Sequence, residues 1–140
     1  MNTLTRIDDR RKKRSANTHR AIELQLEHVV EQYRFYAMVV ANRDGLYVTS
    51  AGEAVDVDCI AAFAPYIGES VGEDREGFKR DLLDEIEVGD APKHVEVRSF
   101  PAEGQKLYVC AVSPRRDGVD IALDHTVEGI RRIFRTTRAA

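Results

Sequence analysis

The spacing of apolar residues predicts a first helix beginning at Asn17 or Thr18, either of which can cap a helix N-terminus. Apolar side chains then recur at intervals of three and four residues, which is the stripe of an amphipathic helix: Ile22, Leu26, Val29, Val30 and Tyr33.

A β-hairpin is predicted next. Residues 35–41 are apolar at every position, as in a strand whose two faces are both covered. The segment Asn42-Arg43-Asp44-Gly45 follows, in which Asp44 and Gly45 form the turn and Gly45 supplies the positive φ of a tight hairpin. Residues 46–50 then resume a β-rich pattern, so the two strands are expected to pair.

Residues 57–67 predict a second helix, with Asp56 or Asp58 near its start and a bend or an early end at Pro65. This helix lacks a polar face, and a helix that is apolar all round must be covered on more than one side. We therefore expect a second chain to shield it, with a dimer interface made by Ile60, Phe63, Ala64 and Ile67.

The second half of the chain predicts two strands and a closing helix. Residues 69–90 read as an acidic connection, within which 82–88 fit either a short helix or a short strand. Residues 93–100 alternate as in a half-exposed strand, and 107–112 are apolar throughout. Apolar positions from 123 to 134 mark the last helix, whose other face carries arginines.

Charge divides the chain unevenly. Residues 1–20 hold seven of the 21 Lys and Arg residues but only two of the 24 acidic residues, although the whole chain has a net charge of -3. We interpret residues 1–16 as a basic flexible arm and residues 17–138 as the folded domain. The arm contains the run Arg10, Arg11, Lys12, Lys13 and Arg14. We interpret it as a solubilising tail that is able to dock on an acidic partner, with binding to nucleic acid or an anionic lipid surface as the alternative. Nucleic acid is the less favoured partner, because the rest of the chain is acidic and has no strip of aromatic and basic residues.

No residues stand out as catalytic, cofactor-binding or metal-binding candidates. The histidines His19, His28, His94 and His125 fall on separate predicted elements, and no phosphate-binding glycine loop is present. Cys59 and Cys110 lie in apolar stretches, which favours buried thiols. No apolar run approaches the roughly 20 residues of a membrane span, so we expect a soluble, cytoplasmic protein. Because no nucleophile with a base, paired carboxylates or metal-ligand cluster has a convincing spacing, we also expect that it is not an enzyme.

Three segments resemble the roadblock/dynein light chain superfamily, which has a longin-like fold. They are residues 38–52, with their strand, Asp-Gly turn and Ser-Ala-Gly corner, the Ala-rich helix at 57–67, and Val127-Glu128-Gly129-Ile130-Arg131-Arg132. The resemblance implies an α/β (α+β) protein in which helices sandwich a central antiparallel sheet of about five strands. The implied order is α-β-β-α-β-β-β-α.

The resemblance also implies a function. Members of this superfamily form homodimers or pair with a paralogous subunit, through the second helix and an adjacent edge strand. Many scaffold or regulate Ras-like small GTPases or related motility, polarity and trafficking complexes. We therefore expect a dimeric protein-binding platform with a small GTPase as partner, including the possibility of stimulating GTP hydrolysis. The alternative is a small-molecule-sensing domain of the profilin-like or longin-like type, or association with nucleic acid or anionic surfaces through the arm.

Overall fold

The computed structural model describes residues 3–53, 56–87 and 93–139, and side chains for residues 12, 13, 16–53, 56–87 and 93–136. Over these residues the chain forms four helices and four strands. In chain order they are α1 (Thr3–Tyr33), β1 (Ala37–Asn42), β2 (Tyr47–Gly52), α2 (Val57–Glu69), α3 (Gly72–Glu85), β3 (His94–Ala102), β4 (Gln105–Ser113) and α4 (Val119–Ala139).

The strands form one antiparallel sheet in the order β2-β1-β4-β3. Val39 marks its centre, pairing with Ser50 of β2 on one side and with Cys110 of β4 on the other. The uniformly apolar strands are thus the two central ones, because helices cover both of their faces. Their side chains alternate between a core under α1 and α4, which holds Met38 and Val40, and a core under α2 and α3, which holds Val39.

The α/β sandwich is confirmed, but the number and order of its elements differ from the expected α-β-β-α-β-β-β-α. The described residues hold four strands instead of about five, because the segment after α2 forms a second consecutive helix. Residues 82–85 close α3, and residue 88 lies outside the described part. Leu82 and Ile86 are buried in the same core as α2. This tertiary packing decides between the short helix and the short strand that periodicity allowed for this segment.

The first helix begins earlier than predicted. Its backbone is helical from Thr3, so the start expected at Asn17 or Thr18 is wrong and most of the expected arm, residues 1–16, is continuous with α1. Arg and Lys are good helix formers, and their propensity is compatible with a helix despite the like charges. The first buried side chain described on α1 is Ile22, about five turns after Thr3.

The second helix runs past Pro65 to Glu69, so the early end predicted at this proline is wrong. Pro65 has no backbone N–H, so the Ala61 carbonyl lacks the hydrogen bond that the residue four positions later normally donates in a helix. Ile60, Ala61, Ala64 and Ile67 form the face of α2 that packs against the sheet.

Candidate protein-binding surface

The structure places three of the four expected interface residues in the interior of a single chain. Ile60, Ala64 and Ile67 have no exposed surface. The sheet covers one side of α2 and α3 covers another. The apolar side chains on these two sides are therefore buried without a second chain. This corrects the expectation that these side chains need a partner to shield them. Phe63 is half-buried, and pairing of two copies stays a prediction.

The exposed face of α2 carries a large aromatic side chain instead. Tyr66 is 62% exposed and lies one turn after the exposed Ala62. The Tyr66 ring centroid is 5.5 Å from that of Phe78 in α3, which holds the ring over the junction of the two helices. Val71, which links α2 to α3, is 82% exposed. The outer side of this helix pair is therefore partly apolar.

The β1–β2 turn borders this face. The Asn42 side-chain oxygen accepts hydrogen bonds from the backbone N–H groups of Asp44, at 2.9 Å, and Leu46, at 3.1 Å. Gly45 adopts a φ of 76°, which is the left-handed conformation that favours glycine. A Cβ on Gly45 would lie 3.2 Å from the Ala62 Cα, so this turn packs directly on the α2 backbone.

A polar cluster lies at the C-terminal end of α2. The Tyr108 hydroxyl donates a hydrogen bond to Glu69, and the Lys106 ammonium lies 2.5 Å from the Glu69 Oε1 atom and 5.9 Å from the centroid of the Tyr108 ring. Gly68 makes room for that ring, because a Cβ there would meet the Tyr108 Cδ1 atom at 2.6 Å. The cluster therefore ties α2 to β4.

Burial and the neighbouring carboxylate set the acid–base properties of this cluster. The hydrogen bonds from Lys106 and Tyr108 lower the pKa of Glu69. Burial, followed by the hydrogen bond to Glu69, raises the pKa of Tyr108 to about 12. At neutral pH, Glu69 is an acceptor and Tyr108 a donor, which is the arrangement that the hydrogen bond requires.

Together these groups line one shallow groove across the outside of the fold. We call it the α2 surface and define it by Arg43, Asp44, Ala62, Tyr66, Glu69 and Lys106. Of these residues, the sequence analysis singled out only Asp44, as part of the turn. Tyr66 lies within the helix that was predicted to be apolar all round, and its hydroxyl together with its place one turn after Ala62 was a usable signal. Lys106 and Glu69 come together only through the packing of α2 on β4.

Four different elements carry His94, His125, Cys59 and Cys110. Over the residues whose side chains are described, no group of three or more His, Cys, Asp or Glu residues could hold a metal ion. His94 accepts a hydrogen bond from Arg116, whereas His125 contacts Tyr33. Burial raises the pKa of the Cys110 thiol to about 12, and burial together with nearby carboxylates raises that of Cys59.

The basic run, residues 10–14, lies in the first half of α1. Lys12 and Lys13 are exposed to solvent. The side chains of Arg10, Arg11 and Arg14 lie outside the described part of the structure, although their backbone belongs to α1. Among the described helices, none is both long enough and apolar enough to cross a membrane.

The architecture defines a class of fold. An antiparallel sheet with helices on both faces agrees with the roadblock/longin-like fold that the resemblance in sequence implied, although the described part has a helix, α3, in place of one strand. A solved structure of Myxococcus xanthus MglB shares it, with a TM-score of 0.54 over 85% of this chain and 91% of that one. The two sequences are 12% identical, so the likeness is one of fold. No protein-family model and no curated protein matches the chain.

Proposed function

We propose that this chain is a non-catalytic, dimeric platform in the cytoplasm that binds a Ras-like small GTPase. The observation that carries the proposal is the α2 surface, where an exposed tyrosine stands beside a rigid turn and a set of charged groups on a roadblock-like fold. The choice of a small GTPase as partner rests on the resemblance to the roadblock superfamily.

The α2 surface has the composition of a protein-binding site. Tyrosine is enriched where proteins meet, because its ring contributes a large contact area with few rotatable bonds and its hydroxyl keeps a polar contact. Around Tyr66 the charged groups have both signs, with Arg43 and Lys106 beside Asp44 and Glu69. A polar rim of this kind around an apolar centre is typical of interfaces that form and dissociate.

We assign the outer side of α2 to pairing of two copies, and we expect the GTPase to bind the assembled pair at a surface that this pairing leaves exposed. Tyr66 and Ala62 lie along the outer side of α2, and the half-buried Phe63 packs against the core at its margin. Two copies related by a two-fold axis would place identical patches of this kind against each other. Fully burying a side chain the size of phenylalanine contributes roughly 1.5 to 3 kcal/mol. Because each contact occurs twice in such a pair, a small patch is able to offset much of the entropy lost on association.

Affinity capture from an extract of the native cell tests the proposal. The immobilised chain is incubated with extract in the presence of GDP or a non-hydrolysable GTP analogue, and retained proteins are identified by mass spectrometry. Three baits are compared: the wild type, Tyr66→Asp, and Leu24→Asp, which changes an exposed apolar residue of α1. We expect the wild type and Leu24→Asp to retain a small GTPase in a nucleotide-dependent manner. Tyr66→Asp should lose it, because this substitution breaks the proposed pair of copies that forms the platform. Equal capture by all three baits, or no GTPase with any of them, would contradict the proposal.

A further inference from the structure

One edge of the sheet is partly capped by the chain itself. In the order β2-β1-β4-β3, strand β3 has a neighbour on one side only. An edge strand ordinarily leaves the N–H and C=O groups of alternate residues unpaired, and these groups are a template for a strand from another chain. On β3 the outward-facing groups of Val97 are already bonded.

Two side chains satisfy both backbone groups of Val97. The Arg75 guanidinium donates a hydrogen bond of 2.9 Å to the Val97 carbonyl. The Glu96 carboxylate accepts one of 3.0 Å from the Val97 N–H. Arg75 belongs to α3, so this helix reaches the strand edge and makes the contacts that an added strand would make.

Further contacts hold this cap in place. Arg75 also donates to the Ile67 carbonyl at 2.7 Å, and it forms an ion pair with Glu96. Lys79, one turn later on α3, places its ammonium 3.3 Å from the other oxygen of Glu96. The side chains of Arg75, Lys79 and Glu96 are 24%, 19% and 25% exposed, so solvent screens these charges less than at an open surface.

The charge of Glu96 is stabilised accordingly. Burial alone would raise its pKa, but the hydrogen bonds from the Val97 N–H and Arg75 and the charges of Arg75 and Lys79 outweigh burial and lower the pKa. Glu96 is therefore ionised at neutral pH. Further along the same edge, Pro101 has no N–H to offer, so another outward position on β3 lacks a donor.

We propose that α3 caps the β3 edge through Arg75 and Glu96 and thereby prevents a second copy of this chain from adding its own strand to the sheet. Self-association is then confined to other surfaces, such as the outer face of α2. The cap stands on hydrogen bonds within one chain, and it does not depend on the proposed binding of a GTPase.

Removing the guanidinium tests the cap. Arg75→Ala is compared with the wild type and with Arg98→Ala, a control on β3 whose arginine pairs with Asp120 and Asp124 of α4. Molar mass is followed by light scattering over a series of protein concentrations. We expect Arg75→Ala to self-associate at a concentration about tenfold lower than the wild type, because the Val97 carbonyl of each copy becomes available and a pair of copies can then form two additional backbone hydrogen bonds. Arg98→Ala should behave as the wild type does.

A second substitution separates strand addition from general unfolding. By the alternation along β3, the N–H of Ser99 points outward as that of Val97 does. Arg75→Ala combined with Ser99→Pro therefore removes a donor that an incoming strand needs. We expect this pair to return to the association of the wild type. If Arg75→Ala associates no more strongly than Arg98→Ala, or if Ser99→Pro leaves its extra association unchanged, the proposed cap is wrong. Each variant is compared with the wild type. A wild type that is monomeric would therefore contradict the proposed dimer, but the comparison would still test the cap.

Discussion

Gly45, in the turn between β1 and β2, lies directly against Ala62 in α2, where a Cβ on the glycine would approach the Ala62 Cα to 3.2 Å. This contact fixes the position of the turn on the helix. It thereby places Arg43 and Asp44, which belong to the turn, beside Tyr66, which belongs to α2. The α2 surface thus depends on a glycine that contributes no side chain to it.

Gly45→Ala should destabilise the fold by about 1 to 3 kcal/mol, because the alanine would need both a left-handed backbone and space that the α2 backbone occupies. Chemical denaturation by urea measures the loss. Gly77→Ala is the matched control, since Gly77 lies within α3 with nothing within 4 Å of a Cβ. It should stabilise the helix by about 0.5 to 1 kcal/mol. Equal effects of the two substitutions would contradict the packing of the turn on α2.

Ile60→Ala should cost about 2 to 5 kcal/mol of unfolding free energy, because it leaves a cavity in the core between α2 and the sheet. The cost should not vary with protein concentration, as it would for a side chain buried mainly by a second chain. Leu24→Ala, at a site 48% exposed, serves as the control and should change stability by no more than about 0.5 kcal/mol. A concentration-dependent cost for Ile60→Ala would restore this residue to an interface.

Tyr108 should ionise only at strongly alkaline pH. Its pKa is raised to about 12, because burial and the Glu69 carboxylate both disfavour the phenolate. The stability that it contributes is present below the ordinary tyrosine pKa of 10 and is lost as pH rises through about 12. In an ultraviolet titration of tyrosinate absorbance, the step near pH 12 should disappear in Tyr108→Phe and persist in Tyr66→Phe. A titration of Tyr108→Phe that keeps this step would show that another tyrosine is responsible.

Glu96 makes the fold sensitive to acid. A carboxylate whose pKa is lowered by folding stabilises the protein above its ordinary pKa of 4.5, and this contribution is lost as pH falls through the lowered value. The difference in unfolding free energy between the wild type and Glu96→Gln should therefore be constant above about pH 6 and shrink below pH 4.5. Urea denaturation at several pH values checks this, with Glu31→Gln, at an exposed site on α1, as the control. A difference that stays constant down to pH 3 or so would contradict the ionic role of Glu96.

The sequence pattern identifies well the strands that are covered on both faces and the turn that its own residues determine. Residues 37–41 and 107–112 are apolar at consecutive positions because they lie in the middle of the sheet with helices on both sides. The Asn42–Gly45 turn is set by its own side chain and by the freedom of glycine. Both features follow from short stretches of sequence, and both were predicted.

The remaining features depend on contacts between distant segments. Residues 72–85 are helical because Leu82 packs under α2 and Arg75 reaches β3, and nothing in their own spacing indicates these partners. The all-round apolar α2 was interpreted as needing a second chain because α3 was not foreseen. The α2 surface was missed because Tyr66, Lys106 and Asp44 come from three separate segments that meet only in the folded chain.

The molar mass of the wild-type chain in solution tests the central claim most directly, which is that the outer face of α2 joins two copies of this protein. Size-exclusion chromatography with light scattering at micromolar concentration should give about twice the 15.8 kDa of one chain. Tyr66→Asp under the same conditions should return to the mass of a single chain. A wild type that remains at 15.8 kDa throughout the concentration series would contradict the claim.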